Sequence, residues 1–87
     1  MKAVLGPKAQ KYLDRQERAR QKRVLDALEK LERDPPQGDI EPIIGQKGYF
    51  RAKVGGLRIL YTTKEGHIFV TNIVPRGQAY NKKERKK

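Results

Sequence analysis

The sequence predicts an α+β domain, in which a short N-terminal strand and a two-helix hairpin pack on a small antiparallel sheet (β-α-α-β-β-β). Three observations predict this class. Apolar residues recur at helical spacing early in the chain, they alternate with polar residues after residue 48, and glycine-containing turns separate the alternating segments. With 87 residues, the chain is long enough for one small domain. We expect that domain to span residues 1–87, with 82–87 as a basic, flexible tail.

The first part of the chain predicts a strand and two helices. Residues 2–5 are a short, mostly apolar segment followed by a Gly-Pro pair, and proline is favoured in the first turn of a helix. Helices are predicted over 7–16 and 17–33. The second helix should stop at Asp34, because a residue that precedes proline is pushed out of the helical region. Its predicted apolar stripe consists of Val24, Leu25, Leu28 and Leu31.

A linking segment and a hairpin follow. Residues 35–48 contain three prolines and three glycines, so this segment is predicted to connect the helices to the sheet without a strand of its own. Residues 49–54 alternate strictly between apolar and polar side chains, which predicts a strand with one buried face. Gly55 and Gly56 predict a two-residue turn, and 57–63 the returning strand.

The last predicted strand covers residues 67–74, after a second tight turn at 64–66. It has apolar residues on both faces, which predicts an interior strand covered on both sides. A break follows at Pro75, and the segment from residue 79 onward is compatible with a short C-terminal helix.

The net charge is strongly positive and unevenly distributed. The chain has 21 Lys+Arg and 10 Asp+Glu, a formal charge of +11. Residues 1–44 carry a net charge of +2, whereas residues 45–87, with 11 basic and 2 acidic residues, carry +9. A one-sided cationic surface attracts polyanions, and nucleic acid is the commonest of these.

Composition excludes several other classes of function. The chain has no cysteine, which excludes a disulfide framework, a zinc-thiolate site and a cysteine nucleophile, and its one histidine cannot form a histidine metal cluster. We therefore expect no metal and no cofactor. No apolar run is long enough to span a membrane and no secretory signal is visible, so the expected compartment is the cytoplasm.

The predicted sheet gathers basic and aromatic side chains on its non-core face. Alternation places Tyr49, Arg51 and Lys53 on that face, and the turn folds Arg58 back beside Lys53. Arg76 follows the third strand. Glu41 falls in the linking segment, so no acid is expected among these cations, and such a cluster suggests a bound anion. The alternative is that these residues only keep an exposed sheet soluble.

Such a cluster of basic residues is suited to catalysing the cleavage of RNA by its own 2′-hydroxyl. Arginine matches two phosphate oxygens and can neutralise the charge that develops there. Lys53, with cations around it, is a candidate base, and Tyr80 could stack on a nucleobase or bind the phosphate. His67 starts the third strand, at the opposite end from Arg76, and is predicted to be an exposed turn residue rather than a catalytic one.

The residues YFRAKVGGLRILY at 49–61 and IVPRGQAY at 73–80 resemble the RelE/ParE superfamily of bacterial toxins. The resemblance implies a ribosome-dependent mRNA endonuclease that cuts messages in the ribosomal A site and is neutralised by a cognate antitoxin. The implied catalytic residues are Arg58, Arg76, Lys53 and Tyr80. Of the predicted RNA-binding residues, Arg51 is implied by the resemblance. The others are predicted from the residues themselves: Lys47, Tyr49, Lys82 and Lys83. The basic tail would help docking on ribosomal RNA.

Two alternatives remain at this point. The ParE branch shares the fold but resembles a DNA gyrase inhibitor without nuclease activity. A non-enzymatic module that binds RNA or the ribosome would need only the charge of +11.

Overall fold

Two helices and five strands make up residues 1–77, the part of the chain that the computed structural model describes. They are β1 (Lys2–Leu5), α1 (Pro7–Asp14), α2 (Arg18–Leu31), β2 (Asp39–Pro42), β3 (Tyr49–Val54), β4 (Leu57–Lys64) and β5 (His67–Pro75). The sheet has the order β1-β5-β4-β3-β2, with β1 parallel to β5 and the other neighbours antiparallel. The predicted α+β class is confirmed, with one added strand. The possible C-terminal helix and the basic tail fall outside the described residues.

Both helices lie close to their predicted limits. α1 begins at Pro7, as predicted, and ends at Asp14. The backbone N–H groups of Arg15 and Gln16 donate to the carbonyls of Tyr12 and Leu13, three residues back. The α-helix therefore ends in a tighter turn of the 3₁₀ type. Within residues 1–77, neither helix is long and apolar enough to cross a membrane.

The core lies between the two helices and one face of the sheet. The helices bury Ala9, Leu13, Val24, Leu28 and Leu31. The sheet buries Ala52, Leu57, Ile59, Tyr61, Ile68, Val70 and Ile73. At its margin, the half-buried ring of Phe50 stacks on Tyr61 with ring centres 5.5 Å apart. No helix within residues 1–77 packs on the opposite face of the sheet, which we call the outer face.

One residue of the predicted helical stripe is not in the core. Leu25 is 53% exposed, whereas Val24, Leu28 and Leu31 are buried. Consecutive residues point about 100° apart on a helix, so Val24 and Leu25 cannot both face the sheet fully. The core takes the stripe formed by spacings of four and three residues, and Leu25 faces solvent.

The segment predicted as a plain linker contains a strand, and that prediction is wrong. β2 pairs antiparallel with β3, which places Ile40 opposite Ala52 and Glu41 opposite Arg51. Four residues with proline at the end give a weak sequence signal. The strand forms because β3 offers an unpaired edge whose backbone groups gain hydrogen bonds, and because Ile40 packs against the core.

The predicted glycine turn between β3 and β4 is confirmed. Val54 pairs directly with Leu57, so only Gly55 and Gly56 form the turn. Gly55 has a φ of 59°, an angle that suits glycine far better than residues with a Cβ. The tight turn fixes the register in which Arg58 returns beside Lys53.

β5 is an interior strand with a bulge. It lies between β1 and β4, as predicted. Leu60 pairs with Asn72 and Tyr61 with Val70, so Thr71 is an extra residue and the side-chain alternation shifts. Val70 and Ile73 therefore both reach the core. The prediction that both faces of β5 are covered is wrong, because Phe69 on the outer face is 38% exposed.

Candidate nucleic-acid interface

Three cations meet on the outer face near the β3–β4 turn. Lys53 pairs with Arg58 and Arg51 pairs with Leu60 across β3 and β4. Directly paired residues project from the same face of a sheet, and alternate residues of one strand share a face. Arg51, Lys53 and Arg58 are therefore neighbours, which confirms the predicted placement of Arg58 beside Lys53. We call these three residues the basic cluster.

Arg58 is the most enclosed member of the basic cluster. It is only 6% exposed, and its Nη1 donates to the carbonyls of Gly55 at 3.0 Å and Leu57 at 2.9 Å. Its Nε is buried and finds no hydrogen-bond partner in residues 1–77. A buried donor without a partner is costly. The side chain is thus held in place by one nitrogen, Nη1, while its buried Nε–H has no acceptor within residues 1–77.

A carboxylate lies in the basic cluster, contrary to the sequence prediction. Glu41 Oε2 is 3.1 Å from Arg51 Nη2 and 3.4 Å from Lys53 Nζ. The hydrogen bond from Arg51, followed by that from Lys53, lowers the pKa of Glu41 below its usual 4.5 against an opposing effect of desolvation. The prediction failed because Glu41 was assigned to a linker. The premise that only cations surround Lys53 is therefore also wrong.

Glu41→Gln is expected to remove a pH-dependent part of the stability. The pKa of Glu41 is lowered in the folded protein. Its ion pairs therefore stabilise the fold at pH values above the usual pKa of glutamate, and this stabilisation is lost as the pH falls through the lowered pKa. Urea unfolding should find the wild type more stable than the variant at neutral pH, with the difference disappearing in strong acid. Glu29→Gln on α2 is the control. A difference that stays constant over this range would contradict the ion-pair assignment.

Arg76 lies beyond β5, close to the same turn. Its backbone N–H donates to the carbonyl of Gly56 at 2.9 Å, and the residue is exposed. The backbone of Arg76 therefore reaches the end of the sheet where Arg58 and Lys53 lie. Tyr80, Lys82 and Lys83 fall outside the described residues, so their predicted roles stay predictions.

Two predicted RNA-binding residues lie away from the basic cluster. Lys47 is exposed in the connection between β2 and β3. Tyr49 starts β3 and lies opposite Thr62, four residues before Lys53, which corresponds to about 13 Å along the strand. They are near the other end of the sheet, as is His67 at the start of β5.

Arg23 is a cation near the turn that the sequence analysis did not identify. Its Nη1 lies 3.7 Å from the position that a Cβ on Gly55 would occupy, so it approaches the turn from α2. It also lines a cleft of about 350 Å³ between α2 and the β2–β3 edge, together with Asp26, Lys30, Asp39 and Lys53. Both charge signs line this cleft. No local sequence signal marks Arg23, because its position depends on how α2 packs.

The fold defines a class of small α+β proteins. The solved structures that match show this fold. One is the RelB-RelE antitoxin-toxin complex from Methanococcus jannaschii, with a TM-score of 0.74, 21% identity, and 91% of this chain and 96% of that chain covered. The YoeB dimer from Staphylococcus aureus has a TM-score of 0.70, 20% identity, and coverage of 85% and 94%.

The isolated RelE toxin of E. coli matches with a TM-score of 0.73 and 14% identity, over 98% of this chain and 96% of that one. The family model described as the ParE toxin of the type II toxin-antitoxin system, parDE, matches residues 4–80. The chain belongs to this family, and it is a toxin of a toxin-antitoxin system. This confirms the resemblance seen in the sequence. No curated protein matches the chain.

Proposed function

We propose that this toxin is a ribosome-dependent endoribonuclease that inhibits translation by cutting mRNA in the ribosomal A site. The observation that carries the proposal is Arg58, a buried arginine at the basic cluster whose Nε has no partner in the described chain. Nε is covered in this structure, so a phosphate oxygen would supply the missing acceptor once the atoms over Nε move aside, and the neighbouring cations would favour its charge.

The reaction is an attack of the ribose 2′-oxygen on the adjacent phosphorus. The bond from phosphorus to the 5′-oxygen breaks, which gives a 2′,3′-cyclic phosphate and a 5′-hydroxyl. Negative charge grows on the non-bridging oxygens in the transition state, so prearranged donors at that position lower the barrier. Arg58 provides such a donor from a fixed side chain. Arg51 and Lys53 add positive charge, and Glu41 holds both of them in position.

Two proton transfers complete the reaction. The 2′-hydroxyl must lose a proton, and the 5′-oxygen must gain one. Glu41 lies at the basic cluster as a carboxylate, but its lowered pKa makes it a weak base, so we assign it to holding Arg51 and Lys53 in position. Lys53, which the sequence suggested as the base, is ion-paired with Glu41 and is proposed instead to neutralise phosphate charge. Arg76 and Tyr80 are proposed to complete the site, with Arg76 at the phosphate and Tyr80 on the nucleotide.

The partner that neutralises the toxin is proposed to be a cognate antitoxin with an acidic segment. The structural relatives from M. jannaschii and S. aureus include complexes with the antitoxins RelB and YefM. The charge of +11 favours an acidic partner. At one sheet edge, the β1 amide of Ala3 already donates to Glu32 Oε2 at 2.7 Å, which occupies that edge. β2 at the other edge is therefore the better place for an added strand.

The test is to add purified toxin to translating ribosomes and map the ends of the message. Cuts positioned by codon, with 2′,3′-cyclic phosphate ends, would support the proposal. The ParE family match makes inhibition of DNA gyrase the second candidate. Inhibited supercoiling by gyrase without any new message ends would overturn the nuclease. Ribosome binding without cleavage would indicate a non-enzymatic module, in which the basic tail docks on ribosomal RNA.

A further inference from the structure

The outer face continues well beyond the basic cluster. Across β3, β4, β5 and β1, the next residues in register are Tyr49, Thr62, Phe69 and Val4. Because paired residues share a face, these four form one row across the sheet. Three of them are partly open to solvent: Tyr49 is 37%, Phe69 38% and Val4 43% exposed. We call this set the aromatic row.

A second group of basic residues lies beyond the aromatic row. Lys64 on β4 pairs with His67 on β5, and His67 pairs with Lys2 on β1. All three are exposed, and Glu65 is the acidic neighbour in the adjoining turn. We call these three residues the far row. The outer face therefore has cations at both ends of its strands and an aromatic row between them.

The spacing of these groups matches a short single strand of RNA. Arg58 and Lys64 are six residues apart on β4, which is about 20 Å along an extended strand. Single-stranded nucleic acid binds to surfaces where cations track the phosphates and aromatic rings stack on the bases. Phosphates of one strand follow each other every ~3.4 Å along a duplex, so about 20 Å accommodates several nucleotides of a strand. The ring of Phe69 lies close to Gly6, because its Cζ is 3.3 Å from where a Cβ of Gly6 would be.

We propose that the outer face is a binding track for the RNA strand that is cut. A base further along the strand than the scissile phosphate stacks on Tyr49 or Phe69, and a phosphate beyond that base contacts the far row. The track rests on the proposed nuclease function, since it begins at the basic cluster. A protein partner fits this face less well, because its exposed large apolar residues form a single row flanked by charge and not a broad patch.

The first test measures how affinity depends on RNA length. Fluorescence anisotropy with the full chain would compare a dinucleotide and a hexanucleotide that carry 2′-deoxy substitutions to prevent cleavage. Lys64→Gln should weaken hexanucleotide binding several-fold and reduce its salt dependence by about 0.7 in the log-log slope, with no effect on the dinucleotide. Lys8→Gln, a matched change on α1, should have no effect. Equal effects of the two variants on hexanucleotide binding would contradict the proposed contact between a phosphate and the far row.

The second test concerns the aromatic row. Phe69→Thr and Tyr49→Thr both keep a residue that favours strands, and at least one should lower hexanucleotide affinity about tenfold through lost stacking. If both variants bind the hexanucleotide as tightly as the wild type, the proposal that the outer face binds RNA is wrong. The same holds if they lose binding to the antitoxin but keep their RNA affinity. These outcomes can be distinguished from a failure of the proposed function. If Arg58→Lys cleaves messages at the normal rate, the assignment of Arg58 to the scissile phosphate is wrong, whatever the RNA affinity of the aromatic-row and far-row variants.

Discussion

Replacing Arg58 by lysine is expected to reduce message cleavage on ribosomes by about 10²–10³-fold, the usual effect of losing one prearranged donor to a developing anion. Lysine keeps the charge but lacks the planar fork, so it cannot bond Gly55 and Leu57 through one nitrogen and offer another donor to a phosphate. Cell toxicity should fall with cleavage. The measurement is the rate at which new message ends appear with purified variant and translating ribosomes.

The control for Arg58→Lys is Arg18→Lys on α2, the same chemical change at an exposed site. Circular dichroism and unfolding curves of both variants would show whether the fold is kept. Arg58→Ala is the stronger variant, and it also leaves the two carbonyls without their donor. Full cleavage and toxicity in a folded Arg58→Lys protein would show that the phosphate is bound elsewhere.

Leu28→Ala is expected to lower the free energy of unfolding by about 2–5 kcal/mol, because it removes buried methyl groups and leaves a cavity. Leu28 lies on α2, is 7% exposed and belongs to the core that α2 forms with the sheet. A domain of this size has a total stability of only about 4–13 kcal/mol, so a large part would be lost. The measurement is urea unfolding followed by circular dichroism.

Leu25→Ala is a closely matched control, with the same substitution on the same helix. Leu25 is 53% exposed, so the expected loss is below about 1 kcal/mol. The comparison tests which side of α2 faces the core, where the sequence alone placed both leucines on the buried stripe. Equal losses in the two variants would contradict the observed orientation of the helix.

The hairpin was the most predictable part of the site. Residues 49–54 alternate without exception, and the glycine pair fixes a two-residue turn, so the position of Arg58 beside Lys53 followed from local pattern alone. The helices were predictable for the same reason. A period of 3.6 residues and the prolines that follow α2 set their extent to within two residues.

β2 and Glu41 were not predictable in the same way. A four-residue strand with proline at its end has little intrinsic preference, and it forms because β3 has an edge to pair with. The carboxylate then reaches Arg51 and Lys53 only through that pairing. Arg23 was missed for a similar reason, since its approach to Gly55 depends on contacts between residues far apart in the chain.

The central claim is that the phosphate to be cut lies against Arg58, and the Nε–H of that residue reports on it directly. Side-chain NMR of isotope-labelled arginines would follow a titration with a 2′-deoxy-substituted RNA at low salt. We predict a large shift of the Arg58 Nε–H signal, because a donor without a partner in the described chain gains a phosphate acceptor, while Arg18 on α2 stays unchanged. Saturable RNA binding that leaves the Arg58 signal unmoved would contradict the account.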